Sequence, residues 1–222
     1  MLQAMARHEP VAPLKLAFFV EGDSDKDFLE GVVQRILGPG AHVRVVRVGG
    51  KAAFSSTYFE ALQFLQAGYA SIFLVIDADT AIPEEIELQK QRLKEVFERY
   101  GIEDRVQICM AVPMLEAWLL AAYRADPERS RHPKRELARY AGTNAYDVRA
   151  LAARLPIDVA RQRSRSFDDL VTALEVFAPN AKRAAGRARK AAPAVKTGSG
   201  RHRRSAPASR STSASRSTSQ RS

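Results

Sequence analysis

Asp77 and Asp79 stand two positions apart at the end of the apolar run Phe73-Leu74-Val75-Ile76. In an extended or just-turning backbone, side chains at i and i+2 point the same way, so the two carboxylates can converge on one point. Like charges at the mouth of a buried strand repel each other. Holding them there costs free energy unless a cation or strong hydrogen bonds offset it. Helix capping explains one aspartate well and two poorly. The pair therefore reads as a site for an oxygen-preferring divalent ion, Mg2+ or Mn2+. Glu21 ends another apolar run, and Glu116 follows a third after Pro113-Met114-Leu115. Three or four carboxylates facing one crevice would suit two-ion phosphoryl transfer.

The elements that must position these acids follow from hydrophobic pattern. Leu14 to Val20, His42 to Val48, Ala70 to Ile76 and Val106 to Val112 are short apolar runs of strand character. The near-continuous run at 70–76 suggests a strand covered on both faces, as in parallel sheets. Between the strands lie helical patterns. The first has Ser24 as its expected N-cap, Asp27 in a capping-box-like position, and Gly38-Pro39-Gly40 as its stop. Others run from Ser56 to Gln66 and from Pro83 to Tyr100, and Pro113 is expected to open a further one, Met114 to Tyr123. The β-α alternation predicts a Rossmann-like α/β fold with a four-stranded parallel sheet in the order 2-1-3-4. Ligands of such sheets sit at the carboxyl ends of the strands, where the order reverses. With strands one and three adjacent at about 4.8 Å, Glu21 and Asp77 become neighbours there.

The predicted organisation is a flexible segment 1–13, an α/β domain 14–125, a helical cap 126–177 and a disordered basic tail 178–222. Helical patterns at His132–Tyr140, Tyr146–Arg154 and Phe167–Phe177 make up the cap. Residues 178–222 hold 12 of the 35 Lys and Arg and no acid, leaving 23 basic against 25 acidic residues elsewhere. The chain's excess positive charge thus belongs to a tail too poor in apolar residues to offset ordering entropy. Such a polycation binds polyanions by counterion release, or simply keeps the chain soluble. Cys109 is the sole cysteine, which excludes a disulfide framework, and its apolar setting suggests a buried thiol. The scattered histidines suggest no zinc site. No apolar stretch reaches the ~18 residues of a membrane span, and residues 1–13 lack a signal-peptide core. A cytoplasmic protein with no membrane partner is expected.

The acidic motifs resemble those of the Toprim domain, shared by topoisomerases, bacterial primases, small ribonucleases and OLD-family nucleases. Glu21-Gly22 follows the first strand and Asp77-x-Asp79 the third. The likeness is to the OLD-like branch and its small standalone members of unknown function. Val20-Glu21-Gly22-Asp23-Ser24-Asp25, Gly49-Gly50-Lys51 and Pro113-Met114-Leu115-Glu116-Ala117-Trp118-Leu119-Leu120 carry it. The resemblance covers roughly residues 14–123, and His132-Pro133-Lys134-Arg135-Glu136-Leu137 and Ser166-Phe167-Asp168 look like the same group's cap. It implies that Asp77 and Asp79 are metal ligands, and that Glu21 binds metal or acts as general acid/base. It further implies that Glu116 is an added acidic ligand or supporting group, and that Lys51 neutralises charge on the scissile phosphate. Within these 222 residues there is no topoisomerase tyrosine module and no ATPase domain. Neither strand passage nor an ATPase in cis is expected of these residues.

Each residue also has a plainer reading. Asp23, Asp25 and Asp27 read as first-turn acids complementing the helix dipole, and Trp118 as core. His132, Lys134 and Arg135 either hold phosphate or form a solvated face. Arg161, Arg163 and Arg165 either line a phosphate groove opposite the acids or form a basic loop. The function these readings predict is an Mg2+-dependent, Toprim-type nuclease acting on DNA or RNA, in phage defence or repair. The alternative is a non-catalytic nucleic-acid-binding or regulatory module beside a separate ATPase partner. A small-molecule phosphatase is a third option.

Overall fold

The computed structural model describes residues 13–143 and 146–179. Of the predicted N-terminal segment and tail, residues 1–12 and 180–222 lie outside the described residues. The elements run β1 (Leu14–Val20), α1 (Asp23–Leu37), β2 (Ala41–Arg47), α2 (Tyr58–Gln66), β3 (Ser71–Asp77), α3 (Pro83–Glu98), β4 (Val106–Ala111) and α4 (Leu115–Leu120). The helices α5 (Pro133–Ala141), α6 (Val148–Arg154), α7 (Ile157–Arg163) and α8 (Arg165–Glu175) follow. All strand pairs are parallel, and the sheet order is β2-β1-β3-β4, as expected from the alternation.

The strands' residues alternate between two cores, as a pleat of period two requires. Leu16, Phe18, Val20, Phe73, Val75, Cys109 and Ala111 face a core shared with α1, α4 and the cap helices. Ala17, Phe19, Ile72, Leu74, Ile76 and Met110 face a second core, which includes Phe54, Ala61 and Phe97. A sheet covered on both faces needs apolar residues at nearly every strand position, and β3 is buried throughout except at Asp77. Phe18 and Phe73 stack across adjacent strands, with ring centroids 4.9 Å apart.

The cap helices bury their apolar faces in the same core as α1 and α4. Phe167 of α8 lies 5.7 Å from Trp118 and 6.3 Å from Phe28, centroid to centroid. Trp118 is fully buried and donates its indole N–H to Ser166 Oγ at 2.8 Å. It is a core residue, not a stacking platform. Cys109 is buried, and its thiol is pushed up to about 12 by that burial. Against α1, α6 approaches so closely that only glycine fits at Gly31. A Cβ there would lie 2.8 Å from Ala152 Cβ and 3.3 Å from backbone atoms of α6. One turn on, Arg35 donates to the carbonyls of Ala152 and Leu155, each at 2.7 Å, satisfying the open end of α6.

Several expected boundaries shift. Gly22, not Ser24, caps α1, because the Asp25 carboxylate accepts the Gly22 amide at 2.9 Å. Residues 51–56 form a 3-10 turn before α2. Pro113 does not open α4; it follows a cis peptide, and the helix starts at Leu115. The helix α7 had no expected counterpart.

Gly31→Ala is expected to destabilise the chain by about 1–3 kcal/mol through overpacking, despite a propensity gain of about 1 kcal/mol in a helix interior. Denaturant midpoints measure this, and adding Ala152→Gly should restore most of the loss.

Candidate acidic site

The register brings the acids together. Val20 pairs with Val75 and Asp77 with Ala111, so the ends of β1, β3 and β4 open on one edge of the sheet. Glu21 lies one residue past β1, and its Oε1 accepts the Asp77 amide at 3.1 Å. This bond spans the point where the strand order reverses. Asp77 Oδ1 in turn accepts the amide of Leu115, the first residue of α4, at 2.8 Å. Glu116 follows on α4 and is buried. Asp25 enters from the first turn of α1.

These four carboxyl groups crowd one another. Burial pushes Asp77 up to about 7, and the charges of Asp25, Glu116 and Glu21 add to the shift against the opposing Leu115 amide. Glu21, Asp25 and Glu116 are raised as well, each chiefly by burial. Two lysines oppose them. Lys134 of α5 places Nζ 3.6 Å from Glu116 Oε1 and lowers both Glu116 and Asp25. Lys51 lowers Glu21.

Asp79 occupies a separate corner. Its φ of 59° is left-handed, a region that aspartate tolerates better than most residues. Its amide donates to Pro113 O at 2.7 Å, and Ala78 N donates to Ala111 O at 2.9 Å. Lys51 Nζ reaches Asp79 Oδ2 and Ala78 O, each at 3.1 Å, and Gln89 Nε2 also donates to Ala78 O. The Gly49-Gly50 pair, with φ of 80° and 113°, turns the chain that delivers Lys51. Capping of α3 does not explain either aspartate, since its N-cap is Ile82 with no side-chain bond.

Glu21, Asp77 and Glu116 thus belong to one cluster, with Lys51 and Asp79 at its rim. Asp77 and Asp79 have different partners rather than one shared point. Asp25 is the acid that the dipole reading undervalued; its bond to the Gly22 amide, two residues earlier than the expected cap, was the available signal. Lys134 enters the site as the cation facing Asp25 and Glu116, and no spacing in the sequence indicates that.

As donors, these groups suit Mg2+ or Mn2+: all are carboxylate oxygens, and five acids face two lysines. Among the described residues, no three acids or histidines already stand in a metal-holding arrangement. The donor chemistry is that of an oxygen-preferring divalent ion.

Arg161, Arg163 and Arg165 lie elsewhere. Arg161 pairs with Asp168 and Glu175, both at 2.6 Å, and Arg163 donates to the Ala121 carbonyl at 3.0 Å. The three line a cavity of about 350 Å3 together with Asp126, Glu128 and Asp168, and none of its residues belongs to the acidic cluster.

No protein-family model, no curated protein and no solved structure matches this chain. Among the described residues, no helix is long and apolar enough to cross a membrane.

Because Asp77 binds its proton more tightly when folded (about 7) than at its ordinary 3.8, the folded chain holds the extra proton between those pH values. Stability of the metal-free chain should therefore fall as pH rises from 4 to 7 and level off above, by about 2–4 kcal/mol at most. Glu21, Asp25 and Glu116 act with the same sign. Melting temperature against pH reads the slope, and Asp77→Asn should flatten it.

Proposed function

We propose that the chain is a divalent-metal-dependent phosphodiesterase of Toprim type that hydrolyses nucleic acid. The observation carrying this reading is the Glu21–Asp77 bond across the switch point, with half-buried Asp25 and buried Glu116 around it. Holding one buried and three half-buried acids together against so little positive charge is costly for folding, and a ligand of opposite charge makes sense of it. The sequence resemblance supports the same reading.

Asp77 and Asp25 would hold the ion, with Asp79 at the rim and Glu21 as the base beside them. Bound Mg2+ or Mn2+ would supply charge neutralisation at the phosphate and acidify an attacking water. The chain's own residues divide the remaining work. Lys51 Nζ, already 3.1 Å from Asp79, binds a non-bridging phosphate oxygen as negative charge grows there. The Glu21 oxygen not engaged by the Asp77 amide accepts the proton of the attacking water. The water oxygen bonds phosphorus, the ester P–O bond breaks, and the leaving oxygen is protonated from solvent. The amide of Leu115 keeps Asp77 aimed, since it fixes one carboxylate oxygen.

A second reading has one observation in its favour. Lys51 engages Asp79, so in this state the rim carboxylate is paired with a lysine rather than joined to Asp77. A nucleic-acid-binding module working with a separate ATPase would tolerate that permanently.

Plasmid nicking and RNA cleavage with Mg2+, Mn2+ or EDTA separate the two. Metal-dependent cleavage that drops about 100- to 1,000-fold in Asp77→Ala and in Asp79→Ala, with circular dichroism unchanged, is the expected outcome. Undiminished activity in the pure double variant overturns the nuclease reading. Binding without turnover in any metal favours the module, and turnover confined to a chromogenic phosphate ester marks a small-molecule phosphatase.

A further inference from the structure

A cavity of about 430 Å3 opens beside the acidic cluster, between the first turn of α1 and α5. Its volume is in the range of sites that hold small ligands, about 300–1,000 Å3. Ser24, Glu116, Lys134, Arg135 and Tyr146 line it. Two adjacent cations on one helix turn into it, and Arg135 has no hydrogen bond or ion pair among the described residues. Glu116 is already answered within this wall by Lys134 at 3.6 Å, and Tyr146 lines the same wall. Among the described residues Arg135 is therefore the cation of this lining without a partner, and the Ser24 hydroxyl offers a further hydrogen-bond donor.

We propose that this cavity binds a phosphate group of the substrate strand next to the one being hydrolysed, with Arg135 as its principal anchor and Lys134 shared between that phosphate and Glu116. The proposal rests on the nuclease reading, because it assigns the second phosphate of the same substrate. Arg135 offers a fork of donors that matches phosphate oxygens, whereas Lys134 offers a point charge. The pocket shares Glu116 with the cluster, so a strand that enters it runs directly past the acids. Its ligand is a phosphate, either internal to a strand or terminal.

The test begins with binding, which needs no turnover. Inorganic phosphate titrated into the full chain, read by calorimetry, should bind wild type and bind Arg135→Ala about tenfold more weakly. Arg135→Lys should recover only part of the loss, as expected for a forked contact. Equal affinity in wild type and Arg135→Ala overturns the pocket, whatever the cleavage assay shows. Phosphate binding that depends on Arg135, in a chain that cleaves nothing, upholds the pocket and removes the nuclease reading. In a chain that cleaves, Arg135→Ala should raise KM about tenfold with kcat within about twofold. Oligonucleotides then separate the two sources. A neutral methylphosphonate beside the cut bond should raise KM in wild type and leave Arg135→Ala unaffected if the internal phosphate is bound. Removing a 5′ or 3′ terminal phosphate should do the same if the terminal one is bound. Loss of affinity in neither substrate series overturns the proposal.

Discussion

The bond from the Asp77 amide to Glu21 is the constraint on which the rest depends. It joins the two strands between which the strand order reverses, and it draws a carboxylate to a place where several others already sit. Everything near it then serves to tolerate negative charge. The Leu115 amide fixes Asp77, the Gly22 amide fixes Asp25, and two lysines arrive from opposite sides, one on the glycine loop and one on the cap. Backbone amides can hold a carboxylate without adding net charge, so they orient the acids and leave the cluster short of cations.

The fold was largely legible because parallel strands buried on both faces write themselves as apolar runs. β1 and β3 are of this kind, and their acids fall where the runs stop. Strand order followed from alternation and handedness rather than from any residue. The cap was harder. The helix α7 spans Ile157–Arg163, begins after Pro156 and carries Asp158, Arg161 and Arg163, so it lacks an apolar stripe long enough to notice. Arg161, Arg163 and Arg165 suggested an anion groove by charge alone. In space, Arg161 and Arg163 largely answer carboxylates and carbonyls of neighbouring helices.

Within the site, sequence spacing found the acids that end strands and missed what arrives from helices. Asp77 and Glu21 terminate apolar runs, so local pattern sufficed. Asp25 looked like one of three first-turn acids, and only the position of the cap at Gly22 distinguishes it from Asp23 and Asp27. Those two face outward instead, Asp23 to Arg47 and Asp27 to Arg149. Lys134 lies more than a hundred residues from Asp25, and an electrostatic influence across that separation leaves no periodic trace.

The indole of Trp118 reaches Ser166, whose hydroxyl and amide both meet the Glu128 carboxylate at 2.7 Å. Trp118 sits two residues after Glu116 on a short helix that is buried all round. The direction of Glu116 is thus inherited from a tryptophan, a serine and a glutamate that lie outside the acidic cluster. Drift in this supporting trio would be felt as a shifted carboxylate at the edge of the sheet, with no change to any acid of the cluster.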